Sequence, residues 1–151
     1  MLLQRIGAKK FCATRQAAFG GQGSLHGDGR WHHRGRLVVY TASHRSLALL
    51  EVLAHLDRKT QIQPQVVWEI DVPDKFIVEP DDLPRGWLSD LEATRTYGDA
   101  WLASRSSVGL CVPSVLVPSE RNVLLNPAHP DFDLKWVKRG PQPVQIDPRL
   151  R

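Results

Sequence analysis

The run Leu47-Ala48-Leu49-Leu50-Glu51-Val52-Leu53-Ala54-His55-Leu56 admits few conformations. Leucine and alanine are strong helix formers, and no glycine or proline interrupts them. Ser43 carries the side chain of an N-cap, so a helix from there to about Leu56 is expected. Leu47, Leu49, Leu50, Val52, Leu53, Ala54 and Leu56 set apolar groups nearly all round it, which predicts a buried helix. One stripe departs from this: His44, Glu51 and His55 project to the same side, the last two one turn apart. A carboxylate on a buried helix must be paired, face a cavity or take up a proton. Glu51 is therefore the first candidate for a functional side chain.

Upstream, Leu37-Val38-Val39-Tyr40-Thr41 reads as a strand from its β-branched and apolar residues. Residues 17–36 hold six glycines and few apolar anchors, and a loop of that length in a small domain is usually functional. Arg30, Tyr40 and Glu51 thus fall about ten residues apart on a loop, a strand end and a helix. A guanidinium, a phenol and a carboxylate brought together can hold a phosphate, stack on an aromatic ring and stabilise a cation. Those are the needs of a site that cleaves a nucleotide at its sugar. Taken singly, Tyr40 reads as a core residue at a strand end and Arg30 as a surface arginine. Gly29 and Trp31 beside Arg30 favour a ligand there, because glycine permits close approach and tryptophan can cover a planar group.

Downstream, residues 65–72 alternate as a half-exposed strand, and residues 73–86 form an acidic, proline-containing surface excursion. A second helix is expected over 88–104, interrupted near Gly98. Residues 108–118 and 122–126 are strand-like, with Pro113 placing the first at an edge or bulge. The proline-rich tail allows short strands at 134–137 and 144–146. The whole is α+β, a single domain over residues 1–151, with more strand than helix.

The composition, 42% apolar and 24% charged, is that of a folded globular domain. No apolar stretch reaches bilayer length and no secretory segment opens the chain, so a cytoplasmic protein is expected, with Cys12 and Cys111 reduced. The net charge of +4 is unevenly spread: residues 1–36 hold seven Lys/Arg against one acid, and residues 69–92 hold eight acids against two bases. A basic segment around a glycine-rich loop favours an anionic ligand, although solvated surface charge accounts for most of these residues.

Several motifs fail. Gly21-x-Gly23 lacks both the third glycine and the leading strand of a dinucleotide fingerprint. The histidines do not have zincin spacing, so no metal is expected. His55 is either a hydrogen-bonded core residue or an orienting partner of Glu51. Ser114 lacks a nucleophile elbow and reads as an ordinary strand serine.

Together the residues resemble the RES domain family. The matching text is Ala18-Phe19-Gly20-Gly21-Gln22-Gly23-Ser24, Gly29-Arg30-Trp31, Val38-Val39-Tyr40-Thr41-Ala42 and Ala48 through Leu56. It continues with Val112-Pro113-Ser114, Leu124 through Phe132 and Asp147-Pro148-Arg149-Leu150. Two departures stand out: Asp28 interrupts the glycines, and His32 takes the place of an Asn common in the family. The resemblance implies a mixed sheet with a buried helix, similar to bacterial ADP-ribosyltransferase toxins, and a toxin of a toxin–antitoxin pair that acts on NAD. It implies an Xre-like helix-turn-helix antitoxin that covers the active site and carries any DNA contact. It further implies that Glu51 stabilises an oxocarbenium-like state, Arg30 binds the diphosphate and Tyr40 stacks on nicotinamide. Trp31 would line the NAD site, Ser114 would hydrogen-bond the nicotinamide end, and His55 and Asn126 would support. The acceptor is left open between water, inorganic phosphate and a protein side chain. Two rivals fit the charge: a ribonuclease toxin using His32, His33 and Arg34, and a nucleic-acid-binding module.

Overall fold

In the computed structural model, which describes residues 1–57 and 61–150, seven strands form one mixed sheet with helices on it. The elements are β1 (Leu2–Ala8), α1 (Arg15–Phe19), β2 (Val39–Ala42), α2 (Arg45–His55) and β3 (Gln65–Asp71), then β4 (Ile77–Val78), α3 (Leu91–Ser104), β5 (Gly109–Pro113), β6 (Arg121–Leu125) and β7 (Val137–Val144). The sheet order is β4-β5-β6-β2-β1-β3-β7, antiparallel except for the β4–β5 pair. The α+β expectation is met, and no helix among the described residues is long and apolar enough to cross a membrane.

The sheet is nearly two sheets. β1 pairs with β3 along its whole length and β2 pairs with β6 along its own, yet β1 and β2 share only the register pair Gln4–Ala42. Cross-strand partners share a face. Tyr40, Leu124 and Leu110 therefore line one side, as do Ala42, Asn122 and Val112. That side carries two apolar clusters. α3 caps one with Trp101 and Leu102, while α2 caps the other with Leu47 and Ala48. The opposite face builds the third cluster, around Leu3, Phe19, Val39, Trp68, Ile70 and Val123. Polar groups collect where the helix-capped clusters meet, and the candidate site lies there.

Several local expectations change. The segment 17–36 is not structureless: α1 opens it, capped by the Thr14 hydroxyl accepting from Ala17 N, and a 3-10 turn follows over Gln22–Leu25. α2 starts one residue later than expected, with His44 at the cap, and it is not buried. Only Leu47 and Ala48 are; Leu50 is 42% exposed, because α2 lies on the central strands β1 and β2 with one face and turns Leu50 away from the sheet. α3 runs through Gly98 unbroken, since a Cβ there would collide with the Trp31 carbonyl, and the glycine lets that backbone approach. In the tail one long strand, β7, replaces the two short ones. Pro141 and Pro143 are tolerated because β7 pairs only with β3 and is an edge.

Candidate active site

Glu51 faces inward from the middle of α2. Its Oε1 accepts hydrogen bonds from Ser114 Oγ at 2.9 Å and Asn122 Nδ2 at 2.6 Å. Ser114 follows β5 and is fully buried; its oxygen in turn accepts from Leu116 N at 3.1 Å and Val117 N at 3.2 Å. The hydroxyl is thereby saturated, with its proton directed at the carboxylate. Asn122 sits on β6 opposite Ala42, whose small side chain leaves room over the sheet. Both bonds fall on Oε1, and Oε2 has no hydrogen-bond partner among the described residues. The carboxylate is held in one orientation with one oxygen in reserve.

Tyr40 projects from β2 on the same face. Its hydroxyl is bonded to His32 Nδ1 at 2.8 Å and accepts from Trp31 N at 3.1 Å. Burial pushes the phenol well above its ordinary pKa, so it stays neutral. At the splayed β1–β2 junction, Arg5 Nη1 donates to the Tyr40 carbonyl at 3.1 Å and replaces a ladder bond. Arg5 Nε is buried with no partner, and desolvation lowers the pKa of the guanidinium. Arg30 Nη1 donates to the Trp87 and Leu88 carbonyls at 3.2 and 3.3 Å. Arg30 meets no carboxylate among the described residues and is available to an anion, whereas Arg5 pairs in register with Trp68 and so lies on the opposite face of the sheet.

The loop that carries Arg30 is fastened to α3 at several points. Thr94 Oγ donates to the Arg30 carbonyl at 2.6 Å, and Arg95 Nε donates to the Gly29 carbonyl at 2.8 Å. His33 bridges two acids, Asp99 through Nδ1 at 2.8 Å and Glu92 through Nε2 at 3.0 Å. Carboxylates can only accept, so the protonated ring is the form that satisfies both contacts. The acids correspondingly raise the His33 pKa, Asp99 first.

Of the residues singled out in the sequence, Glu51 and Ser114 meet directly, and Tyr40 joins the Arg30 loop. Ser114 stands behind Glu51 rather than facing outward to a nicotinamide. Trp31 is 2% exposed, packed edge-on to Tyr97 beneath α3, so it belongs to the core and cannot lie over a ligand. His55 is exposed at the end of α2, and the bonds of Glu51 go elsewhere. Asn126 is fully engaged within the protein: its amide donates to the Leu102 carbonyl at 3.1 Å and its oxygen accepts from Ala128 N at 3.1 Å. Two residues that the pattern left unassigned hold the site instead: Asn122 and, as the partner of Tyr40, His32. The ribonuclease rival loses its apparatus, since His32 is buried on Tyr40 and His33 is clamped between two acids.

A fixed carboxylate, a neutral anchored tyrosine and a guanidinium without counter-charge suit a substrate that is anionic at one end and develops positive charge at the other. The RES domain family model matches residues 2–147. Toxin Res of Yersinia enterocolitica is 37% identical over the full length of both chains. The Prs ADP-ribosylating toxin of Sphingobium sp. is 39% identical, covering 86% of this chain and 84% of that protein. Among solved structures, a chain of the M. tuberculosis MbcT–MbcA toxin–antitoxin complex shares the fold with a TM-score of 0.70 at 17% identity. That alignment covers 99% of this chain and 85% of the other.

Proposed function

The chain belongs to the RES domain family, and from that premise we propose that it is a toxin enzyme that cleaves the nicotinamide–ribose bond of NAD. The observation that carries this reading is the Glu51 carboxylate, locked through Oε1 by Ser114 and Asn122 with Oε2 left to act. As the bond to nicotinamide lengthens, the ribose acquires oxocarbenium character, and a fixed negative charge nearby stabilises it without reorganising. Nicotinamide leaves as a neutral molecule, so the chemistry requires neither a metal nor a strong general acid. Arg30 binds the diphosphate, and Tyr40 offers its ring to the positively charged nicotinamide. Ser114 and Asn122 fix the direction of the carboxylate.

Water and inorganic phosphate are the small acceptors, giving ADP-ribose or its 1″-phosphate. Transfer to a protein side chain is the second reading, supported by the name of the Sphingobium relative. The cognate partner is an Xre-like helix-turn-helix antitoxin that covers the site and makes any DNA contact. Leu50, adjacent to Glu51, and Leu116, two residues after Ser114, are 42% and 45% exposed and supply apolar surface for it. The test is nicotinamide release from NAD by the purified protein with and without phosphate. The co-product identifies the acceptor, and a lysate supplies protein acceptors if none is released.

A further inference from the structure

The adjacent histidines of the loop, His32 and His33, have opposite protonation demands, and the first of them decides how Tyr40 meets a ligand. His32 is 3% exposed. Its Nε2 lies 3.1 Å from the Gly27 carbonyl and its Nδ1 lies 2.8 Å from the Tyr40 hydroxyl. A carbonyl only accepts, so Nε2 carries the ring proton. Burial lowers the pKa of His32 and keeps the ring neutral, which leaves Nδ1 as a bare acceptor. The Tyr40 hydroxyl must then be the donor in that bond. It also accepts from Trp31 N at 3.1 Å, so its single proton and one lone pair are already committed.

We propose that His32 is a positioning residue for Tyr40: it holds the phenol by its hydroxyl, directs the hydroxyl proton away from the substrate and presents the ring face. Tyr40 consequently acts on a ligand as an aromatic surface with at most a hydrogen-bond acceptor at its rim, and never as a donor or an acid. The packing is built for the pair. The rings lie 5.6 Å apart between centroids, and a Cβ at position 29 would strike both the His32 ring and the Tyr40 oxygen. Gly29 N donates to the His32 carbonyl at 3.0 Å, closing the turn that carries Arg30. One imidazole thus ties the loop of the candidate phosphate-binding arginine to the strand of the candidate stacking tyrosine. An Asn at position 32 has the same donor and acceptor set, with its amide for the Gly27 carbonyl and its oxygen for the phenol.

The catalytic side of this inference rests on the NAD reading; the proton placement does not. Long-range proton–nitrogen NMR of the wild-type protein reads the His32 tautomer directly. The Nε2-protonated form is expected across neutral pH, with a slowly exchanging Tyr40 hydroxyl proton, and an Nδ1-protonated or rapidly averaging ring overturns the proposal whether or not NAD is cleaved. In kinetics, His32→Ala is expected to raise KM for NAD about tenfold and leave kcat within about threefold, because a separate set of residues holds Glu51. His32→Asn is expected to restore KM. In a Tyr40→Phe background His32→Ala is expected to cost little more, since the contact is already gone. Fully additive losses, or no rescue by a folded His32→Asn protein, contradict the assignment. Absence of NAD cleavage by the wild type contradicts the proposed function alone, with the tautomer still deciding this one.

Discussion

Asn122 Nδ2 lies 2.6 Å from Glu51 Oε1, joining a residue of the sheet to the one carboxylate that α2 directs inward. The contact depends on register. Asn122 pairs with Ala42, and the small side chain between Asn122 and Gln4 leaves the helix room to bring Glu51 down. Removing the amide in Asn122→Ala deletes a hydrogen bond to a charged group, worth about 1.5–3 kcal/mol. If that acts on the transition state, kcat falls about 10–100-fold. Asn122→Asp replaces the donor with a second negative charge and is expected to be the slower of the two at neutral pH. Equal rates for Asn122→Asp and wild type would show that the contact does not orient the carboxylate.

Arg30 is expected to serve substrate binding more than folding. Arg30→Met removes the charge and retains much of the side chain's volume, so the melting temperature should shift little while KM for NAD rises about 10–100-fold, the scale of a lost charge-assisted bond. An unchanged KM in this variant would remove the diphosphate from this region.

Gly98→Ala tests the seat of the loop on α3. Alanine is the better helix former by about 1 kcal/mol. Here, however, its Cβ would run into the Trp31 carbonyl, which is backbone and cannot rotate away. Overpacking of this kind costs about 1–3 kcal/mol or more. The melting temperature should fall by several degrees, at about 2–4 °C per kcal/mol for a chain of this size. A stabilised variant would mean that the loop does not press on the helix.

His33 gives stability a pH signature. Its pKa is raised in the folded state by Asp99 and Glu92, so its contribution is fully present below the ordinary histidine value of about 6.5 and is lost as pH rises through the higher folded value. The difference in unfolding free energy between wild type and His33→Gln should therefore be largest near pH 5.5–6 and shrink toward pH 9. His32 works in the opposite sense, because burial lowers its pKa and its contribution is lost on acidification. It is present in both proteins, so it cancels. A difference that grew with pH would contradict the two-acid clamp.

Much of this architecture is legible in local pattern, and the exceptions are instructive. α2 and β3 lie close to where the sequence puts them, but β3 is not the half-exposed strand expected: residues 65–68 are buried on both faces, because β1 and β7 flank it and apolar clusters cover both sides. The exposure of Leu50 does not follow from helical pattern, because it depends on which face of the helix the sheet covers. β7 is hidden by Pro141 and Pro143, which argue against a strand until its edge position is known. At the site, Glu51 announces itself as a charge within an apolar helix, whereas Asn122 looks like an ordinary polar residue of a strand. Its role arises from its register opposite Ala42, which has no local signature.

The most direct test is nicotinamide release from NAD by wild type and Glu51→Gln. Glutamine keeps an oxygen for the bonds from Ser114 and Asn122 and removes only the charge. The account predicts a folded protein, with a melting temperature close to wild type, whose rate falls by about two orders of magnitude or more. Release of nicotinamide at the wild-type rate by Glu51→Gln would contradict it.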